Sequence, residues 1–483
     1  MTAFADALPR RSRRPLFGIL VAALLGGGLL PAMTRAESAV EPYRRLRETT
    51  AGYYGPAEDF THLTEVRIGW FGPSDPADSL NGDFWWAADL AVREANEQRT
   101  GTDPAAFTAL PIRLVPRWAP DPWRAGVSLL ARMVYDEQPL ALLGSIDSAS
   151  THLAEQVVAK ANLPLVSPLA TDKTATLAGV SWMFACAPDD VAVARVLVGD
   201  VLAAFATITR QKGNSQMQDP ACCRSLLAGD STPESRASSL LHSASMQAPE
   251  SDDSPSATEN RQSKSENRKS HIVLLATTDH ASRMAAREVT RELSRHGVAP
   301  EFRFDLPPGV ANADESLQGT AAAHPAAVIV IADAADSARL TRAVRERLGE
   351  VPVFGGQTMG RTRFLELAGP AAEGVRFPLL FATDPSNQTA AAFTAHFAAE
   401  RHHVPDYSAA LAYDATRLLI EAIRRAGPNR ARIREALGQL SPWSGIAGPI
   451  TFDGTGQNLR SELCLGTVRN GAVVPLSPPT HSP

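Results

Sequence analysis

Residues 144–151, with the sequence GSIDSAST, are rich in hydroxyl side chains and directly follow a predicted strand. The chain turns there and a helix begins. The first turn of a helix has unpaired backbone N–H groups at its positive end, so it readily binds an anion such as an α-carboxylate. We expect Ser148 to contact this anion. The alternative is that Ser148, Ser150 or Thr151 caps the helix, a frequent use of serine and threonine.

A histidine one helical turn after Ser148 raises the alternative of an exported hydrolase. His152 would have to activate Ser148 as a nucleophile, and an acidic residue would have to orient the imidazole. No acidic partner is evident at a suitable spacing, so we interpret His152 as a helix-face residue. His402 and His403 lack the further ligands of a metal site. We therefore expect no catalysis, no cofactor and no bound metal.

The composition is that of a globular protein. The 483 residues are 44% hydrophobic and 20% charged, enough for a large core, and the length favours two or three domains. A net charge of −5, with basic residues spread along the chain, excludes a nucleic-acid partner. Four cysteines without a CxxC pair argue against a disulfide scaffold or a zinc site. The nucleotide-binding fingerprints GxGxxG and GxxxxGK[ST] are not found.

Residues 1–36 have the organisation of a signal peptide. Four arginines within residues 10–14 precede an apolar run over residues 16–30, and small residues follow. This run is shorter than the roughly 20 residues that span a membrane, and no later run is long enough. Residues 12–17, SRRPLF, resemble a twin-arginine export signal. We expect export to the periplasm, with residues 37–64 as a linker.

Short apolar strands alternate with amphipathic helices from residue 65 onward. This alternation predicts an α/β fold in which helices cover both faces of parallel sheets. Strands are expected at residues 66–71, 112–115, 140–143, 163–166, 271–276, 327–332 and 351–354. Helices are expected at residues 84–96, 126–135, 150–161, 282–296 and 337–348.

A serine-rich segment at residues 211–270 interrupts the alternation. It has few large apolar residues and cannot bury enough surface to offset the entropy of ordering. We expect a disordered insertion, which contains Cys222 and Cys223. We also predict that Cys186 and Cys464 are not bridged, although export would permit a disulfide.

Six segments, taken together, resemble one protein family. They are residues 68–73 (IGWFGP), 142–145 (LLGS), 163–172 (LPLVSPLATD), 372–375 (AEGV), 412–415 (AYDA) and 448–453 (GPITFD). In this order they resemble the type I periplasmic solute-binding proteins, specifically the branched-chain amino-acid-binding (leucine-binding) family of ABC importers.

The resemblance implies two parallel-sheet lobes joined by three crossovers, with a ligand cleft that closes like a hinge. The first lobe would comprise residues 65–187 and 382–450, and the second residues 188–381 and 451–475. The crossovers are then expected near residues 187–190, near residues 375–381 and near Phe452.

The resemblance also implies the ligand contacts. Ser148 matches the family's carboxylate-binding serine, and Thr171 with the backbone at Leu169 matches a second contact for carboxylate and ammonium. Gln357 stands where the family has an acidic residue for the ammonium. Asp333 could supply that charge instead; a solvated turn residue is the alternative.

The second lobe departs from the amino-acid-binding pattern in its walls. Leucine-binding members have a tyrosine where this sequence has Ala281 after one strand, and the loop after another strand offers Ala332 and Asp333 without an aromatic wall. An amino-acid ligand therefore does not follow directly from the resemblance.

These features predict an exported solute-binding protein. It would capture a small polar ligand, an amino acid or a related carboxylate or amide, and deliver it to an ABC permease with its ATPase. The alternative is a ligand-sensing module of the same fold, coupled to a receptor or regulator.

Overall fold

The computed structural model describes residues 63–99, 107–119, 121–177, 180–217, 268–309, 317–383 and 386–476. The expected signal peptide, nearly all of the expected linker, and residues 218–267 with Cys222 and Cys223 lie outside these ranges. Within them, no helix has the length and apolar character of a membrane span.

The strands alternate with helices along most of the chain. The strands are β1 (Val66–Phe71), β2 (Ile112–Arg117), β3 (Ala141–Gly144), β4 (Leu165–Ser167), β5 (Met183–Pro188), β6 (Arg268–Thr277), β7 (Val298–Leu306), β8 (Ala327–Ile331), β9 (Val353–Gly355), β10 (Arg376–Leu379), β11 (Trp443–Ser444), β12 (Pro449–Ile450), β13 (Gln457–Asn458), β14 (Cys464–Arg469) and β15 (Ala472–Leu476).

The α-helices are α1 (Gly82–Glu97), α2 (Val127–Arg132), α3 (Ser148–Ala161), α4 (Thr174–Leu177), α5 (Asp190–Met217), α6 (His280–Arg295), α7 (Ala334–Leu348), α8 (Thr362–Ala368), α9 (Gln388–Arg401), α10 (Tyr407–Ala426) and α11 (Arg430–Gln439). Shorter 3₁₀ or π turns are Phe107–Ala109, Pro122–Gly126, Met133–Glu137, Ala321–Ala323, Gln357–Gly360 and Gly369–Ala372.

Two sheets form the cores of two lobes. The first lobe contains the sheet β13-β5-β4-β3-β1-β2, whose strands are parallel, and the second contains β15-β14-β10-β9-β8-β6-β7. The two-lobed α/β fold with mostly parallel sheets, expected from the alternation of apolar strands and amphipathic helices, is confirmed. Strands β3 and β8 are buried along their whole length, as expected where helices cover both faces of a sheet.

An antiparallel hairpin closes one edge of the second sheet. Strands β14 and β15 are joined by Asn470 and Gly471, both with positive φ. An Asn-Gly pair adopts this conformation at low cost, and its twist matches that of the flanking strands. Strand β14 then pairs antiparallel with β10.

The chain passes between the lobes three times. It leaves the first sheet after β5 and returns after β10 through α9, which packs in the first-lobe core. The sequence placed the third crossover near Phe452 and residues 451–475 in the second lobe. That boundary is wrong, because β13 pairs with β5 in the first sheet, so the chain crosses between β13 and β14.

The boundaries of several helices and strands also differ from those expected from the sequence. Helix α5 continues to Met217 and β6 begins at Arg268, so both ends of the segment expected to be disordered, 211–270, are regular structure. Strand β7 was not predicted. Cys186 and Cys464 are free thiols, the first buried and the second exposed.

A buried carboxylate in α10 anchors the turn between β11 and β12. Asp414 is 0% exposed, and its Oδ1 and Oδ2 accept hydrogen bonds from the N–H groups of Ile446 and Ala447, each at 2.8 Å. Burial raises the pKa of Asp414 to about 7, and these two N–H donors act in the opposite direction. The turn needs glycine at Gly445, because a Cβ there would lie 2.3 Å from Oδ2.

We predict that Asp414→Asn destabilises the fold although it keeps the side chain's shape. An asparagine amide would turn its NH₂ group toward one of the two backbone N–H groups, which leaves a buried donor unpaired. The free energy of unfolding at pH 8 should fall by about 1–3 kcal/mol. Denaturant unfolding measures this, with Asp89→Asn as control. Asp89 is half-buried and its ion pair with Arg93 lies at the surface, so a change within about 0.5 kcal/mol is expected. Equal stability of the two variants would contradict the anchoring role.

Candidate ligand-binding cleft

The carboxyl ends of strands from both sheets face a cavity of about 340 Å³. Ligands of open parallel sheets bind at this edge, and the volume is within the range of small-molecule sites. Five residues that the sequence singled out line this one cavity: Ser148, Leu169, Thr171, Asp333 and Gln357.

Ser148 organises the first-lobe half of the cleft. Its Oγ accepts hydrogen bonds from the backbone N–H groups of Thr171 and Asp172, both at 3.1 Å, and the residue is 1% exposed. The hydroxyl can still donate its own proton. Ser148 thus ties the start of α3 to the loop after β4, a structural role that the sequence did not show.

Gly144 sets the turn that leads to Ser148. It has a φ of 131°, and a Cβ there would lie 2.4 Å from the backbone oxygen of Phe71. Only glycine fits this combination of positive φ and close backbone approach.

Three helices begin at the cleft, and an aspartate caps each of them. Asp147, Asp279 and Asp333 accept hydrogen bonds from the backbone N–H of the third residue of α3, α6 and α7, respectively. The expectation that Ser148, Ser150 or Thr151 caps α3 is therefore wrong. Because each cap carries negative charge, it offsets the positive end of its helix, and the attraction for a lone anion is weaker than the sequence suggested.

Asp190 adds a fourth carboxylate that sequence reasoning missed. It starts α5 directly after β5, lines the cavity and is 3% exposed, and its Oδ1 has no hydrogen-bond partner among the described residues. Burial is the main cause that raises the pKa of Asp190 to about 7; a hydrogen bond from Thr171 lowers it, while Asp172, Asp189 and Glu288 raise it. Its position after a strand, like that of the other site residues, was the available signal.

The second lobe supplies a mainly aliphatic wall. Ala281 and Ala332 line the cavity together with Val289 and Ile331, so both expected aromatic positions carry small side chains. Gln357 lies half-buried in a 3₁₀ turn. The aromatic side chain that lines the cavity among the described residues comes from Tyr407 of α10.

Asp333 is already engaged as a helix cap. Its Oδ1 accepts from the N–H of Asp336 at 2.7 Å, and burial raises the pKa of its carboxyl. It remains part of the cavity lining, as the sequence expected, but its carboxylate is shared with α7.

An ion pair bridges the lobes beside the cavity. Arg361, which precedes α8 of the second lobe, donates from Nε to Asp406 at 2.9 Å and from Nη2 to the Leu80 carbonyl at 2.7 Å. Asp406 caps α10 of the first lobe, and both side chains are largely buried. Because this aspartate neutralises Arg361, the four cavity aspartates keep their excess negative charge.

A second bridge involves His152, for which the sequence showed no acidic partner. That interpretation is wrong: Nδ1 lies 3.1 Å from Glu155 Oε2, and Nε2 lies 3.3 Å from Asp172 Oδ2. Hydrogen bonds with Asp172 and then Glu155 raise the pKa of His152 to about 9.

His280, the first residue of α6, places Nε2 2.9 Å from the same Asp172 oxygen. Burial alone would raise the pKa of Asp172, but hydrogen bonds from His152, Thr174 and His280 hold it well below its usual range.

Solved structures of similar fold cover most of the chain. A substrate-binding protein of a branched-chain amino acid transporter from Streptococcus pneumoniae, in complex with isoleucine, is 18% identical with a TM-score of 0.62, over 85% of this chain and 100% of that one. A leucine-binding protein from Thermotoga maritima is 18% identical with a TM-score of 0.63, over 85% and 98%. A solute-binding protein from R. palustris, in complex with benzoate, is 14% identical with a TM-score of 0.62, over 85% and 95%.

The sequence itself gives one family match. A search of curated proteins finds no similar sequence. The sequence model described as "Periplasmic binding protein" matches residues 240–472. The fold of the chain is that of the type I periplasmic binding proteins, and residues 240–472 are similar in sequence to the periplasmic binding protein family.

Proposed function

We propose that this protein captures a small zwitterionic ligand, an amino acid or a close relative, in the cleft between its lobes and delivers it to an ABC importer. It acts by binding, without catalysis. Export to the periplasm and partnership with a permease and its ATPase belong to the same proposal. The structural relatives, which are transporter binding proteins, support it.

The charge pattern of the cleft carries the choice of ligand. Asp190 lies buried with an unpartnered oxygen, and a ligand ammonium would supply the missing donor. The Ser148 hydroxyl still has a proton to donate to a carboxylate on the first-lobe side, while the Thr171 hydroxyl, which lines the same cavity, orients Asp190 by a hydrogen bond. The aliphatic wall with Ala281 and Ala332 leaves room for an apolar side chain.

Transport and sensing use the same closure mechanism. A ligand that contacts both lobes binds the closed form more tightly and shifts the population toward it. Deletion of the gene separates the two roles. Loss of uptake of the ligand supports import, whereas unchanged uptake with a lost cellular response would replace import by sensing.

We predict that a thermal-shift screen of the purified protein prefers zwitterions. Leucine should raise the melting temperature more than leucinamide, which lacks the carboxylate, or 4-methylpentanoate, which lacks the ammonium. Glutamate should bind poorly, because its second carboxylate would meet the cavity aspartates. A preference for 4-methylpentanoate over leucine would contradict the zwitterion assignment.

We predict that ligand binding tightens from about pH 6 to about pH 8, because Asp190 must ionise to pair with an ammonium and its pKa is about 7. Asp190→Asn should weaken binding at pH 8 roughly 10- to 150-fold, the value of a charge-assisted hydrogen bond. It should also flatten the pH profile measured by calorimetry. Asp136→Asn is the control, since Asp136 is exposed, has the same charge and does not line the cavity.

The ligand-free protein should show the opposite pH trend in stability. The pKa of Asp190 in the folded protein lies above its ordinary value of 3.8, so this carboxyl favours folding most at low pH. Its contribution is lost as the pH rises from about 4 to about 7. A wild-type pH profile of affinity that persists in Asp190→Asn would reject Asp190 as the ammonium contact.

We predict that substitutions of Ser148 and Thr171 differ in their effects on stability and on ligand affinity. Ser148→Ala leaves two buried N–H groups unpaired and should lower the free energy of unfolding by about 2–4 kcal/mol as well as weaken binding. Thr171→Val keeps the shape and should weaken binding roughly tenfold, with a small loss of stability. Thr290→Val in α6, whose hydroxyl donates to the Ala286 carbonyl and accepts from Arg303 away from the cavity, is the control for calorimetry. Wild-type affinity in Thr171→Val would remove Thr171 from the site.

A further inference from the structure

Three electron-pair donors from different segments converge next to the ligand cavity. His152 Nε2, Asp172 Oδ2 and His280 Nε2 lie within 4.8 Å of one another. Two of them belong to the first lobe, in α3 and in the loop after β4, whereas His280 starts α6 of the second lobe. Asp172 follows the cavity residue Thr171, and His280 stands between Asp279 and Ala281, which also line the cavity.

The spacing suits a tetrahedral metal ion. Zinc bonds to nitrogen or oxygen of about 2.1 Å place neighbouring ligand atoms roughly 3.4 Å apart. The Asp172 oxygen lies 3.3 Å from His152 Nε2 and 2.9 Å from His280 Nε2, so small side-chain rotations would complete the geometry. Two imidazoles with one carboxylate are a donor set typical of zinc and unlike the all-oxygen sets of calcium or magnesium.

An outer carboxylate already orients one imidazole. Glu155 Oε2 lies 3.1 Å from His152 Nδ1 and accepts its proton, so Nε2, which is hydrogen-bonded to Asp172, is the nitrogen that would coordinate an ion. Such carboxylate–histidine pairs are the usual outer shell of protein zinc sites. Thr174 Oγ1 donates to Asp172 Oδ2 at 2.7 Å and fixes the orientation of that carboxylate.

The charge of the cluster also matches a divalent ion. With neutral imidazoles, Asp172 and Glu155 contribute two negative charges, and Asp172 is only 2% exposed. Without metal, both histidines hydrogen-bond to Asp172 through Nε2, and a divalent ion would take the place of those protons. His280 is 32% exposed at its side chain, which gives an ion a path from solvent.

We propose that His152, Asp172 and His280 bind a Zn²⁺-type divalent ion that joins the two lobes next to the ligand cleft. Asp172 would coordinate through Oδ2, each histidine through Nε2, and the fourth position would be open to water. Because the ligands come from both lobes, the ion binds the closed form more tightly than the open form.

The test is a titration of the purified full-length chain with Zn²⁺ after removal of metals by a chelator, with no organic ligand present. Calorimetry should show one ion per chain. His152→Gln and His280→Gln should each weaken binding at least roughly 100-fold, and Glu155→Gln roughly 10- to 100-fold as expected for an outer-shell residue. His396→Gln is the matched control, because His396 pairs with Glu400 on α9 outside the cluster and its loss should leave binding unchanged.

Small-angle scattering tests the link between lobes. Zn²⁺ should reduce the radius of gyration of the wild type and of His396→Gln but not of His280→Gln, and circular dichroism should show that all variants are folded. Absence of Zn²⁺ binding, or equal binding by the wild type and His280→Gln, would overturn the site. Binding without compaction would overturn its role in joining the lobes. Since no organic ligand is used, these results are independent of the proposed transport function.

Discussion

Negative charge at the start of three helices governs the chemistry of the cleft. In an open α/β sheet the helix N-termini converge where ligands bind, and uncapped they would favour anions. Here Asp147, Asp279 and Asp333 use their carboxylates as caps, so fold stability and cleft potential depend on the same side chains. This arrangement disfavours a lone anion in the cleft, and the neutralisation of Arg361 by Asp406 adds to that effect.

The layout of the lobes was predictable because burial on both faces leaves a clear signal in sequence. Strands such as β3 and β8 are short apolar runs between amphipathic helices. Strand β7 was missed because it lies at the edge of its sheet and mixes Phe302 and Phe304 with exposed Arg303. Its alternation was the evidence for a half-buried edge strand. Strand β13, with two residues, was too short to give any pattern.

The candidate site was predictable in position and less so in chemistry. Strand ends pointed to Ser148 and Thr171, but the hydrogen bonds that Ser148 accepts from the loop after β4 depend on tertiary packing between distant segments. The neighbours of His152 show the same limit, since Asp172 and His280 lie 20 and 128 positions away. Packing within the first lobe brings Asp172 to His152, whereas His280 reaches them only from the other lobe. Local propensity contains no information about such contacts.

The presence of two separate cross-lobe contacts has a kinetic consequence. Arg361 holds Leu80 and Asp406, while His280 holds Asp172, through different helices. Under the proposed function, a bound molecule would escape only when both contacts are broken at the same time, so its residence time would be long even at modest affinity. A membrane partner that breaks either contact would then accelerate dissociation of the bound molecule without contacting that molecule.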